Sequence, residues 1–173
     1  SLTNKSWALE FEKITRQNKR GVLIAWNPGN LQLKNFKALI SFLPAIEILI
    51  LNKDEAIELV KNQLPSTPKA KLEDTKFLLK TIKGFGSKKV VITMGKKGAA
   101  AVDEFNHHYY LPAQSVIHRI VDTVGAGDAF SSGLMAGMVR WSNFEKALQL
   151  GVRNSASVLY RIGAQNGLLK IKI

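Results

Sequence analysis

Short apolar runs alternate along this chain with stretches in which apolar residues recur every three or four positions. Runs at 22–26, 46–51 and 89–94 have the length of strands and are bounded by turn residues, which is typical of buried parallel strands. The helical periodicity predicts amphipathic helices at 9–18, at 33–43, through Ala56, Leu59 and Val60, at 72–82, from 126 to about 140, and at 144–160. This alternation predicts an α/β fold with mostly parallel strands.

Two further features complete the predicted organisation. Residues 99–102 and 108–111 look like a pair of strands joined by a turn. The proline-bounded loop at 65–68 could be a linker, but strands and helices continue to alternate beyond it. We therefore expect residues 1–173 to form one domain.

Residues 122–130 combine a polar turn with the start of a helix. Gly125 and Gly127 bracket Ala126, so the main chain there can adopt positive φ and let a ligand approach closely. A helix N-terminus presents unpaired N–H groups that suit an oligophosphate. Asp128, in the first turn, could accept a proton from a hydroxyl group that attacks phosphorus. Taken alone, the same residues also fit an ordinary glycine turn with a capping aspartate.

Asn52 and Glu55 follow the predicted strand at 46–51, at the edge where open α/β sheets bind ligands. Asn52 can cap the next helix, and Glu55 at its third position completes a capping box. That structural interpretation is sufficient for these two residues by themselves.

The composition limits the classes of protein to which the chain can belong. Apolar residues make up 46% and charged residues 22%, as in ordinary globular proteins, and no apolar stretch is long enough to cross a bilayer. The chain has no cysteine and no signal-peptide pattern, which is compatible with a reducing compartment, and we expect a cytoplasmic protein. His107, His108 and His118 lack zinc-ligand spacing, so we interpret them as surface residues.

The net charge of +12 suggests an anionic partner, either a nucleotide or a nucleic acid. The lysines are spread out and are not interleaved with aromatic residues, so a solvated basic surface is the favoured interpretation. We expect neither a nucleic-acid partner nor a membrane.

The string D-T-V-G-A-G-D at 122–128 resembles the D-T-x-G-A-G-D signature of the ribokinase-like, PfkB-type carbohydrate kinases. The resemblance implies a ribokinase-like layered sheet with helices on both faces, and an ATP-dependent kinase. It further implies an anion hole at Gly125, Ala126 and Gly127, with Asp128 as the catalytic base.

Other positions match the same family. Thr93, Gly95 and Gly98 fit a T-x-G-x-x-G turn that lines the nucleotide in family members. Asn52 and Glu55 fit an N-x-x-E motif that orders Mg²⁺, largely through water.

Three more residues are implied by position. Asp122 and Val124 match positions that hold a monovalent cation such as K⁺, although Asp122 could equally anchor the turn. Asn154 is a candidate on the adenine side, but a solvated helix asparagine is the better interpretation.

The resemblance covers essentially the whole chain but only the second half of the family's usual length. It implies a nucleotide-binding carboxy-terminal portion, with the amino-terminal half and the lid missing. We expect weak binding of ATP or ADP without turnover, because the residues that hold the sugar or nucleoside are absent. The full-length protein could be a homodimer.

The sequence also bears on three other functions. The chain could be a non-catalytic nucleotide-binding module that needs a partner, or an anion binder that acts through its charge. A dinucleotide oxidoreductase is disfavoured because no second βαβ unit with a ribose-binding acid follows the glycine motif.

Overall fold

A computed structural model describes residues 6–16, 22–114, 121–160, 163 and 166–169. They form two compact units: the described residues up to Ile92 with Ala101–His108, and Thr93–Ala100 with the described residues from Tyr109 onward. The elements, in chain order, are α1 (Ser6–Arg16), β1 (Ala25–Trp26), α2 (Asn30–Lys34), α3 (Phe36–Phe42), β2 (Ile48–Asn52), α4 (Lys53–Gln63), α5 (Lys69–Glu73), α6 (Thr75–Lys83), β3 (Lys89–Thr93), β4 (Ala99–Val102), β5 (His108–Leu111), α7 (Ala126–Trp141) and α8 (Phe144–Val158).

The strands of the described residues form one sheet in the order β1-β2-β3-β4-β5, and the predicted α/β class is confirmed. β1 runs parallel to β2, with Ala25 opposite Ile48 and Trp26 opposite Leu49. The first four residues of β2 and of β3 are buried, as expected for strands covered on both faces. The predicted strand pair at 99–102 and 108–111 coincides with β4 and β5.

Two predicted helices are each divided in the structure. The helix predicted at 33–43 is α2 followed by α3, and the one predicted at 72–82 is α5 followed by α6. At each break a short polar side chain caps the following helix: Asn35 accepts a hydrogen bond from Ala38 N, and Asp74 from Lys76 N at 2.9 Å. Such side chains compete with the backbone bonds of a continuous helix, and the apolar pattern does not reveal this.

A buried ion-pair network supports the first unit. Lys89, only 7% exposed, lies 2.6 Å from Glu47 and 2.9 Å from Glu104, and Lys88 lies 2.9 Å from Glu47. Burial alone would raise the pKa of Glu47, but the hydrogen bonds and charges of Lys89 and Lys88 outweigh it and lower that pKa. The Lys89–Glu47 pair is the buried part of the network, with side chains 7% and 13% exposed, so removing either of these two would destabilise the fold more than removing Lys88 or Glu104.

In the second unit, α7 and α8 pack closely against each other. A methyl group on Gly137 would lie 2.6 Å from Ala147 Cα, and one on Gly133 would lie 2.8 Å from Asn154 Cβ. Gly151 is similarly confined by Phe130. These glycines allow the two backbones to approach, so packing fixes the position of α7.

The described histidines have the predicted surface character. The His107 side chain is 68% exposed and its Nδ1 lies 3.0 Å from Asp103 Oδ2, while His108 is exposed on β5. His118 lies outside the described residues. None of the helices that the structure describes has the length and apolar character needed to cross a membrane.

Candidate functional site

The start of α7 has no side-chain cap. Gly125 precedes it in the left-handed conformation, with φ 79° and ψ 0°, and no side chain bonds to the first helical amides. A methyl group on Gly127 would meet no atom of the described residues within 4 Å, apart from its chain neighbours and the backbone of its own helix. The amides of a helix's first turn have no intrahelical partner, so this backbone is open to an anion.

One amide of the predicted anion hole is already engaged. Ala126 N donates to Thr123 O at 3.3 Å, closing the turn before α7, and Gly125 O accepts from Ala129 N at 2.8 Å. Of the anion hole predicted at Gly125, Ala126 and Gly127, the Ala126 amide is therefore less available to a ligand. Gly125 shapes the turn, and the amides of Gly127 and Asp128 are better placed to bind a ligand.

Asp122 fastens this turn to the rest of the unit. Its Oδ1 accepts from Val124 N at 2.9 Å, and its Oδ2 accepts from Gly163 N at 3.3 Å. These backbone hydrogen bonds lower the pKa of Asp122. Val121 N also donates to Leu159 O at 2.8 Å, at the end of α8. The anchoring role considered for Asp122 is thus present, whereas a K⁺ site at Asp122 and Val124 stays a prediction.

The glycine turn after β3 contains two differently used glycines. Gly98, at φ 90°, could not carry a side chain, because a methyl group would collide with Leu111 O and the Pro112–Ala113 backbone. A methyl group on Gly95, at φ 54°, would meet no atom of the described residues within 4 Å apart from its chain neighbours. Met94 N donates to Gly98 O at 2.8 Å and closes the turn. Gly98 therefore supports the fold, while Gly95 leaves room for a ligand.

A cavity of about 330 Å³ within the second unit brings the two glycine-containing segments together. That volume lies at the lower end of the range for small-molecule sites, roughly 300–1,000 Å³. The lining residues are Thr93, Gly95, Lys96, Gly98, Ala113, Gln114, Thr123, Ala126, Gly127, Phe130, Val152, Ser155, Ala156 and Leu159. Four predicted cofactor-binding residues, Thr93, Gly95, Gly98 and Gly127, are among them.

The cavity also has an apolar wall that the sequence did not assign to the site. Phe130 of α7 and three positions near the end of α8, Val152, Ala156 and Leu159, supply it. Their spacing of three or four residues was visible in the sequence, but it predicts any buried helix face equally well. A flat apolar ring would fit beside such a wall, while the glycine segments provide polar backbone.

Asp128 lies at the exposed beginning of α7 and does not line the cavity. Among the residues that the structure describes, it has neither an ion-pair partner nor a side-chain hydrogen bond. Its carboxylate is therefore available on the solvent side, directly after the open amide at Gly127. It is not turned into the packed interior.

Asn154 is buried, with 5% exposure, so the expectation of a solvated asparagine is wrong. Its amide nitrogen donates to Ala129 O at 2.7 Å and to Ser132 Oγ at 3.3 Å, and its Oδ1 accepts from Leu169 N at 2.8 Å. It does not line the cavity. Asn154, which lies on α8, therefore links this helix to α7 and to Leu169.

Asn52 and Glu55 belong to the first unit and form the predicted capping box. Asn52 Oδ1 accepts from Glu55 N at 2.9 Å, and Glu55 Oε2 accepts from Asn52 N at 2.8 Å. Burial raises the pKa of Glu55. The hydrogen bond from Asn52 N lowers this pKa, but the negative charges of Glu58 and Asp54 raise it, and the net shift is upward.

The described part of the chain contains no group of three or more acidic or histidine side chains able to hold a metal ion. A magnesium site made entirely of protein ligands therefore does not fit these residues. Coordination through water does fit, because the second oxygen of Glu55 is not used by the cap, and Mg²⁺ usually keeps several waters.

The fold and the glycine-bracketed helix start agree with the match to known proteins. Residues 3–171 match the family described as pfkB family carbohydrate kinase, and the chain belongs to this family.

The chain is similar to the cytidine kinase of Thermococcus kodakarensis, with 29% identity over 157 residues, 89% of this chain and 52% of the relative. It is 30% identical over 139 residues to the ATP-dependent 6-phosphofructokinase of Thermoanaerobacterium thermosaccharolyticum, covering 80% of this chain and 38% of that protein. A putative ribokinase II from E. coli in complex with ATP and Mg²⁺ shares the fold, with a TM-score of 0.77 at 20% identity over 98% of this chain and 53% of the other. The chain thus spans about half the length of these relatives or less.

Proposed function

We propose that this chain supplies the ATP site and the catalytic base of a kinase that phosphorylates an alcohol group of a sugar or nucleoside. The observation that carries the proposal is the uncapped start of α7, where Gly127 opens onto a cavity shared with the glycine turn after β3. Family membership supports the same reaction class.

In this proposal the cavity holds the nucleotide. The wall of Phe130, Val152 and Ala156 takes the apolar faces of the base, because burying a flat ring there removes apolar surface from water. The phosphates lie toward the amides of Gly127 and Asp128, where the positive end of the helix dipole stabilises negative charge.

The transfer forms a bond between the acceptor oxygen and the γ-phosphorus of ATP and breaks the bond from that phosphorus to the β–γ bridging oxygen. ADP leaves, and Asp128 accepts the hydroxyl proton. The open amides at the start of α7 stabilise the charge on the transferring group. Mg²⁺, when bound, would neutralise phosphate charge.

We propose the acceptor only as a chemical class. The two relatives are named cytidine kinase and ATP-dependent 6-phosphofructokinase, and nucleosides and sugars both carry alcohol groups. We expect the choice between them to depend on residues outside the segment that this chain matches. We also expect the kinase to act in the cytoplasm, where ATP is available.

A second function is a non-catalytic nucleotide-binding module, which would use the cavity but not Asp128, a residue that does not line it. Calorimetric titration with a non-hydrolysable ATP analogue and a kinase assay on the same sample separate the two. Nucleotide binding with turnover supports the kinase, and nucleotide binding without turnover in a preparation that also binds the alcohol acceptor supports the module. If binding falls steeply with salt and does not change in Gly127→Ala, the chain is a general anion binder, and the proposal is wrong.

A further inference from the structure

Lys96 occupies a special position among the lysines of the chain. It lies in the glycine turn after β3, is exposed, and lines the cavity together with Gly95 and Gly127. All 13 Asp and Glu side chains of the sequence fall within the described residues, and none of them forms an ion pair with Lys96. An ammonium group at the cavity wall thus carries charge that no side-chain carboxylate balances.

We propose that Lys96 binds the phosphate chain of the nucleotide and makes the site prefer nucleoside tri- and diphosphates over nucleosides. This assignment rests on the proposed ATP site. The open amide at Gly127 directs negative charge to one part of the cavity, and Lys96 shares that cavity. Its four-carbon stem lets the ammonium follow a phosphate oxygen, and bonds between charged groups are stronger than neutral hydrogen bonds.

The neighbouring lysine provides a matched control. Lys97 is also exposed and lies in the same turn, but it does not line the cavity. Its main-chain groups hold the turn: Lys97 N donates to Met94 O at 3.1 Å, and Lys97 O accepts a hydrogen bond from Tyr110 Oη at 3.0 Å. Replacing either lysine by glutamine removes one positive charge from the same turn, so a general loss of charge affects both variants equally.

The experiment measures dissociation constants of ATP, ADP and adenosine by calorimetry for the chain and for Lys96→Gln, Lys97→Gln and Lys96→Arg. We expect Lys96→Gln to weaken ATP and ADP at least about tenfold, since hydrogen bonds to charged groups contribute on this scale. Adenosine affinity should stay within twofold, Lys97→Gln should resemble the parent chain, and Lys96→Arg should recover most of the loss. The dependence of ATP affinity on salt should become shallower only in Lys96→Gln.

Other results would reject the assignment. Equal losses in Lys96→Gln and Lys97→Gln would mean that only net charge matters, and an equal loss for adenosine would mean that Lys96 does not select phosphates. In both cases the ATP site itself survives. If the parent chain binds neither ATP nor adenosine, the proposed function fails and the assignment of Lys96 fails with it. Circular dichroism of each variant excludes misfolding as the cause.

Discussion

The first turns of α4 and α7 both contain main-chain amides that have no partner within the helix, but the two helices treat these amides differently. At α4, Asn52 and Glu55 bond to each other's main-chain amides and satisfy them with side chains. At α7, Gly125 offers no side chain, and Gly127 faces open space. A good cap contributes about 1 kcal/mol relative to alanine but only a few tenths of a kcal/mol relative to glycine, so α7 forgoes a small contribution where its amides face a cavity.

The position of α7 is secured in another way. Gly133 and Gly137 bring its backbone close to α8, and Asp122 holds the preceding turn through two main-chain bonds. Packing and the anchored turn therefore replace the missing cap. An uncapped helix start indicates a ligand site when the rest of the helix is tightly packed, because fraying of the helix end then does not explain the missing cap.

The largest effect should come from the acid beside the open amides. In a preparation with measurable kinase activity, Asp128→Asn should lower kcat by roughly 10²- to 10⁴-fold, the range for loss of a general base. Nucleotide affinity should stay within a few-fold, as Asp128 does not line the cavity. Steady-state kinetics and calorimetry measure the two quantities.

Glu145 is the matched control for Asp128. It is an exposed acid in the first turn of α8, whose start is capped by Asn143. Glu145→Gln should therefore retain kcat. Loss of nucleotide binding with normal turnover in Asp128→Asn would contradict the role of a base.

The next effect distinguishes an open glycine from a packed one. Gly127→Ala should weaken ATP binding by roughly tenfold or more, because one methyl group in a fitted pocket is worth about 1–3 kcal/mol. Its thermal stability should be unchanged or slightly higher, since Gly in a helix costs about 0.5–1 kcal/mol relative to Ala.

Gly137→Ala should behave in the opposite way. Its methyl group would meet Ala147 Cα at 2.6 Å, and overpacking of this kind costs about 1–3 kcal/mol of the free energy of unfolding. ATP affinity per folded molecule should be retained. If both variants lose stability and keep their affinity, the start of α7 is not a ligand site.

A smaller effect tests the capped helix. Asn52→Ala should lower the free energy of unfolding by about 1 kcal/mol, measured by urea denaturation, because the bond from Glu55 N to Asn52 Oδ1 at the helix start is lost. Asn143→Ala removes the corresponding cap of α8, whose Oδ1 accepts from Lys146 N at 2.9 Å, and should cost a similar amount. If Asn52 also orders magnesium, only Asn52→Ala should change the Mg²⁺ concentration needed for ATP binding. Equal magnesium dependence in both variants would restrict Asn52 to capping.

The same contrast shows what the sequence could predict. The α4 cap depends on four consecutive residues, Asn52 to Glu55, so the sequence alone predicts it. The glycines around Ala126 form an equally local pattern. Continuous apolar runs likewise located β2 and β3. Features that depend on distant partners were missed: Asn154 is buried because Ala129 O, 25 residues away, and Leu169 N, 15 residues away, satisfy it. The apolar wall of the cavity was not assigned to the site, because periodicity does not distinguish a cavity wall from a packed interior.

The smallest effect compares the carboxylates of the two helix starts as the pH falls. The pKa of Asp122 is lowered below its ordinary value of 3.8, chiefly by the bonds from Val124 and Gly163, so the ionised group stabilises the fold. That contribution is fully present above pH 3.8 and is lost as the pH falls through the lowered pKa. The pKa of Glu55 is raised above 4.5 by burial, so its ionised form opposes folding above that value, and this cost disappears as the pH falls through the raised pKa.

The two carboxylates should therefore respond with opposite signs. Urea denaturation across the acid range measures the difference in unfolding free energy between the parent chain and each amide variant. For Asp122→Asn the parent's advantage should shrink as the pH decreases below 3.8. For Glu55→Gln the unfolding free energy of the parent should rise relative to that of the variant as the pH decreases toward 4.5. Parallel pH profiles for the two variants would show that the turn before α7 and the cap of α4 are held by the same kind of interaction, and the contrast between the two helix starts would then lose its electrostatic basis.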